Sequence, residues 1–149
     1  MIRPDLTSLP AYVPGTTVPG ALKLASNESS LAPLPSVAEF ISETTGSVNR
    51  YPDMAAVDIR GELAAFVQQR DNVQIPLTWN NVSVGNGSSA LCLQSIQATC
   101  AAGDEVLFAW RSFEAYPILA KIAAAVPVQV PLDAEGKHDL DAMAEAITE

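Results

Sequence analysis

The chain has 149 residues, 48% hydrophobic and 17% charged, which is enough apolar material for one core. Its formal net charge of −9 opposes nucleic-acid binding, because a phosphate backbone calls for surplus Lys and Arg. No apolar run approaches the ~20 residues of a membrane span, and the opening MIRPDLTSLP has no secretory apolar core. The expectation is a cytoplasmic protein with neither nucleic acid nor membrane as partner.

Residues 1–35 are rich in Pro, Gly, Ser and Thr and show little periodicity, so they read as an extended arm lying over a neighbour. Leu34, Val37, Phe40 and Ile41 keep helical spacing up to Gly46. In NRYPD, Pro52 holds Tyr51 extended and Asp53 is placed to cap the next helix. That helix carries Ile59, Leu63, Phe66 and Val67 on one face. From Val82 the pattern alternates: a short strand over 82–84, a helix over 89–101 stopped by Gly103, and a strand over 106–110. A helix over 116–125 follows, with Pro117 in its first turn, then a strand over 126–130 and a helix capped by Asp139. Leu140, Met143 and Ile147 share a face of that last helix. Pro127 is expected to interrupt the third strand's ladder. The order βαβαβα implies an α/β fold, a mainly parallel sheet with packed helices. Cys92 and Cys100 lie ~12 Å apart along one predicted helix, beyond disulfide reach, and read as reduced packing thiols. Three parallel strands leave an unfinished edge after 149, so the chain is expected to be part of a longer protein.

The chemistry concentrates in VGNGSSALCLQ, where a strand hands over to a helix. A helix start offers unpaired N–H groups and a positive dipole end, and glycine admits an anion close to the backbone. Ser88 and Ser89 add hydroxyl donors, which suits a phosphate monoester with three oxygens to satisfy. The plainer alternative is a tight turn with serine caps. Gly85, Gly87 and Ala90 also satisfy G-x-G-x-x-A, and Arg111 falls where an NADP-binding arginine would sit, so a Rossmann module is a competing reading. In WRSFEAYP, either Phe113 or Tyr116 is placed to stack on a planar cofactor or to pack helix against sheet, and both readings stand. Tyr51 presents a hydroxyl to a phosphate or packs in a turn, and Asn27-Glu28 reaches a ligand or forms a turn. His138, the single histidine, lies in a polar loop, which removes histidine triads and most zinc sites.

YVPGTTVPGALKLASNESSLAPLPSV, NRYPD, VGNGSSALCLQ and GDEVLFAWRSFEAYP, in this order, resemble the first part of fold-type-I pyridoxal-phosphate aminotransferases. The group is that of histidinol-phosphate aminotransferases, and within it the actinobacterial aromatic (phenylalanine) aminotransferases are most similar. The resemblance spans essentially the whole chain. It implies an arm over 1–35, a helical small-domain or linker segment over 36–80, and the first part of the cofactor-binding large domain over 81–149. It implies that Gly87, Ser88 and Ser89 hold the phosphate of pyridoxal 5′-phosphate and that Phe113 lies against the pyridine ring. Tyr51 would reach the partner's phosphate across a homodimer interface, while Tyr12 and Asn27 would line the substrate side. The substrates implied are an aromatic amino acid and a 2-oxo acid, with histidinol phosphate as the alternative. Two departures bear on substrate choice: Asn27-Glu28-Ser29-Ser30 replaces the usual Asn-Glu-Asn-Pro, and Ala90 stands where an acid often follows the phosphate turn. The family also needs a lysine that bonds the cofactor and shuttles a proton. Lys23, Lys121 and Lys137 do not match it, so no catalytic residue is assigned and no turnover is expected from these 149 residues alone.

Overall fold

The computed structural model describes residues 3–148 apart from 12, 14, 17, 25 and 26, and its alternation of helix and parallel strand is α/β. The helices are α1 (Pro35–Thr44), α2 (Val57–Arg70), α3 (Gly87–Thr99), α4 (Tyr116–Ile122) and α5 (Leu140–Glu145). The strands are β1 (Glu105–Trp110) and β2 (Val126–Pro131). They pair in parallel, with Val106 opposite Pro127 and Leu107 opposite Val128, and α4 is the crossover between them.

Three expectations are corrected. Residues 82–84 are not a strand: Val82 is extended (φ −120°, ψ 131°), but no neighbouring strand among the described residues supplies a ladder. Local β preference sets the backbone angles, whereas a strand needs a second backbone beside it. Pro127 does not interrupt the pairing with β1. The Val126 N–H donates to the Asp104 carbonyl (2.8 Å) and the Leu132 N–H to that of Trp110 (3.2 Å), so even-numbered residues face β1. Pro127 and Pro131 therefore turn their nitrogens to the open edge, where no donor is missed. Finally, α3 ends at Thr99, before Gly103. Gly103 instead takes φ +95° and donates its N–H to the Ala124 carbonyl (2.9 Å), joining the approach to β1 with the end of α4.

The core lies between the sheet and α4: Phe108 and Ala109 of β1, Leu119 and Ala120 of α4, Ala125, and Val130 of β2. Ala120 is 0% exposed, and its small side chain lets α4 lie close to the strands. The Phe108 ring meets Trp110 edge-on at 6.2 Å and Tyr116 at 5.6 Å. Asp139 caps α5 as expected, accepting the Ala142 N–H at 3.0 Å. The buried side of α5 differs from the expected one: Leu140 and Ile147 are exposed, while Ala142, Met143 and Ala146 are half-buried, and the helix packs on β1. The arm begins with a 3₁₀ turn (Pro4–Ser8) on α4, where the Arg3 guanidinium donates to the Lys121 carbonyl (2.6 Å) and Lys121 Nζ to Ser8 Oγ (3.3 Å).

Both amphipathic faces read from the sequence form as helix faces but stay uncovered. Leu34, Val37, Phe40 and Ile41 at α1 are exposed, as are Ile59, Leu63 and Phe66 of α2. Val67, the fourth residue of that second face, is half-buried, and α2 buries the adjoining side, at Ala64, against the 3₁₀ turn Trp79–Asn81.

Candidate functional site

The glycine–serine motif forms the turn into α3. Asn86 is the N-cap, with no side-chain cap bond. Gly87 takes φ +76° with open space beside it, a conformation that glycine adopts without the clash a Cβ would bring. Gly85 has a different role: a Cβ there would meet Leu91 at 3.2 Å, so its bareness lets the extended stretch 82–84 approach α3. The Gly87 N–H donates to the Gly85 carbonyl (2.8 Å) and closes the turn.

Ser88 and Ser89 are consequently inside the first turn of α3, one and two residues past its start. They are not caps, which removes the plainer reading of the motif. Their N–H groups have no carbonyl one turn earlier and no other backbone partner among the described residues. Both side chains are exposed, and neither hydroxyl bonds a protein group among the described residues. Two amides, two hydroxyls and the dipole end of a 13-residue helix are thus left for an anion.

A cleft of about 680 Å³ opens from this turn between α3 and β1, lined by Ser88, Cys92, Phe108, Ser112, Tyr116 and His138 among others. It runs along β1 from Val106 to Ala109 and reaches Ser112, just past the strand. Phe113 and Tyr116 separate here. Tyr116 packs against Phe108 and lines the cleft, whereas Phe113 is not among the lining residues: it is 43% exposed, with its ring roughly perpendicular to Tyr116 at 5.4 Å between centres. Ser112 and His138 were not singled out as cleft residues from the sequence. Ser112 is anchored by its hydroxyl on the Ala109 carbonyl (2.6 Å), and His138 reaches the cleft because it bridges antiparallel to Leu132. That bridge is a tertiary feature with no local signal.

The structure does not bring the other named residues to the cleft. Tyr51 is 97% exposed and away from the lining. Asn27 is exposed, at φ 45° in the arm, and Tyr12 lies outside the described residues. The lysines are placed elsewhere: Lys23 pairs with Glu28, Lys121 reaches Ser8, and Lys137 sits in the 133–138 turn. Arg111, the residue an NADP reading needs, lies 3.5 Å from Glu114 and with its guanidinium 5.3 Å from the Trp110 ring.

The turn bearing Tyr51 is fixed by Asp53, whose carboxylate accepts the N–H groups of Val57 (2.8 Å) and Ala55 (2.9 Å). Those bonds, the Val57 one foremost and with Arg60 adding a smaller attraction, hold the carboxyl below its ordinary value of 3.8. A carboxyl lowered on folding stabilises the folded state above its unfolded pKa and ceases to do so as pH falls through the folded value. Asp53→Ala is therefore expected to lower the melting temperature at neutral pH, with the gap closing as pH falls below the ordinary carboxylate range. A gap independent of pH in melts by circular dichroism would contradict this.

The fold is an α/β unit in which the glycine–serine turn leaves backbone N–H groups and hydroxyls without protein partners at the start of α3 among the described residues. The family model "Aminotransferase class I and II" matches residues 19–149, and the chain belongs to that family. It is 64% identical over 149 residues to the aromatic amino acid aminotransferase of Corynebacterium jeikeium (strain K411), covering 100% of this chain and 38% of that protein. Over 147 residues it is 51% identical to the aromatic amino acid aminotransferase of Rhodococcus opacus (strain B4), covering 99% and 39%. The chain thus spans about two fifths of the length of these relatives. Among solved structures, the histidinol-phosphate aminotransferase of Sinorhizobium meliloti in complex with pyridoxal-5′-phosphate matches with TM-score 0.78 at 23% identity, covering 97% of this chain and 38% of that one. Alanine aminotransferase from Pyrococcus furiosus matches with TM-score 0.69 at 20% identity, covering 80% and 31%. At these identities the likeness is one of fold.

Proposed function

We propose that this chain supplies the phosphate turn and one wall of the active site of a pyridoxal-phosphate-dependent aminotransferase, acting between an aromatic amino acid and a 2-oxo acid. The observation that carries the reading is the set of free donors at Ser88 and Ser89, which fits a dianionic monoester in an otherwise acidic protein. Ser88 and Ser89 hold the phosphate through amides and hydroxyls, and Gly87 gives the turn its shape. Phe113 offers a flat apolar face to the pyridine ring. Tyr51, solvent-exposed in one subunit, reaches the phosphate of the partner in a cytoplasmic homodimer, and Tyr12 and Asn27 line the substrate side. When bound, the cofactor supplies the electron sink for bond breaking at the substrate Cα. This chain's residues bind and orient it, and Tyr116 and Phe108 wall the cleft against water. The aromatic substrate class is favoured over histidinol phosphate by the likeness at 64% identity to a protein named for aromatic amino acids.

The test is the enzyme carrying this segment, mixed with phenylalanine and a 2-oxo acid and followed by phenylpyruvate formation. Expected are cofactor-dependent turnover and a higher kcat/KM for phenylalanine than for histidinol phosphate. The 149 residues alone should give none, because none of their lysines lines the cleft. Preference for histidinol phosphate, or turnover from these residues by themselves, would overturn the proposal.

A further inference from the structure

We propose that Arg60 is a positioning residue for the phosphate turn, setting it in register with the turn that bears Tyr51; the inference rests on the aminotransferase reading above. Arg60 lies in the first turns of α2, and its guanidinium is engaged in three directions at once. Nε donates to the Val82 carbonyl (2.7 Å), Nη1 donates to the Ala55 carbonyl (2.8 Å), and Cζ lies 4.7 Å from the centre of the Trp79 ring. The side chain is half-buried, so these charge-assisted bonds are less screened than those of a surface ion pair.

Each contact fixes a different segment. The Val82 carbonyl belongs to the extended stretch that has no strand beside it among the described residues, and the guanidinium supplies the donor that carbonyl needs. Three residues later, Gly85 lies against Leu91 and its carbonyl receives the Gly87 N–H, so the position of Val82 is passed directly to the Ser88–Ser89 turn. The Ala55 carbonyl lies in the turn between Tyr51 and α2, which Asp53 already fastens to the start of that helix. Trp79 is a stiff floor for the guanidinium, because its 3₁₀ turn is closed by Asn81, whose side-chain oxygen accepts the Thr78 N–H (2.9 Å). Arginine is required here. A lysine ammonium is a point charge that cannot hold two fixed donor directions and present a flat face to an indole.

The test uses the whole enzyme and measures dissociation constants for pyridoxal 5′-phosphate and for pyridoxal, which lacks the phosphate, by absorbance titration. Arg60→Lys is expected to weaken the phosphate-bearing cofactor about tenfold, while pyridoxal changes less than about twofold. An equal loss for both ligands would mark a purely structural role and overturn the proposal, as would no loss for either. Arg60→Gln should reproduce the effect. If it fails to fold, Arg60→Lys alone carries the comparison, since it keeps the charge and the aliphatic stem. Ser88→Asp separates the two readings: if it weakens cofactor binding while Arg60→Lys does not, only the role of Arg60 is lost. If Ser88→Asp also leaves binding unchanged, the phosphate turn itself is wrongly placed.

Discussion

Ser88→Asp is expected to weaken binding of pyridoxal 5′-phosphate by at least about a hundredfold while leaving the cofactor-free protein as stable as before, or slightly more so. The substitution removes a hydroxyl whose bond to a charged oxygen is worth about 1.5–3 kcal/mol. It also sets a carboxylate beside a phosphate, and two like charges about 4 Å apart near a protein surface repel by about 4 kcal/mol. Either effect alone approaches the ~2.7 kcal/mol that separates a hundredfold change. The helix responds in the opposite sense. Ser88 sits in the first turn of α3, where an acidic side chain meets the positive end of the dipole and stabilises by about 0.3–1 kcal/mol. Lost affinity together with an undiminished melting temperature therefore isolates anion recognition from folding. Unchanged affinity in a cofactor titration would remove the phosphate from this turn.

Phe108→Ala is expected to cost about 3–5 kcal/mol of stability, the range for emptying a buried aromatic site. Phe108 is only 8% exposed, sits in the middle of β1 and touches Trp110 and Tyr116, so no neighbour can close the void without moving α4. Against a typical net stability of about 5–15 kcal/mol, that is a large fraction. Phe113 provides the control. At 43% exposure its removal should cost less than about 1 kcal/mol in urea unfolding, yet weaken the bound cofactor ring. If both substitutions destabilise equally, the division of the two rings into core and ligand wall is wrong.

The elements with their own local chemistry were legible in the sequence. The Asp139 cap, the proline in the first turn of α4, and both paired strands follow from residue preference and spacing, and all are present; Asp53 holds the start of α2 as well, though from three residues before its N-cap Ala56. The shape of the glycine–serine turn was legible for the same reason, because glycine conformation and the orphan N–H groups of a helix start are properties of a few consecutive residues. The helix faces show where such reading stops. The period of Ile59, Leu63 and Phe66 announces an apolar stripe, but α2 buries Ala64 instead, since what covers a stripe depends on which element lies beside it.

Arg60 shows the same boundary at the level of a site. Nothing in VDIRGEL distinguishes it from a solvated helix charge, and its three contacts join residues 55, 79 and 82, which meet only once the chain is folded. The alternating patterns and turn residues were sufficient to define the α/β class and the glycine–serine turn, because those rest on short-range sterics and hydrogen bonding. Whether residues 82–84 gained a ladder, which ring lined the cleft, and which donor met the Val82 carbonyl were settled by packing between distant segments, where one backbone carbonyl has to find its donor in space.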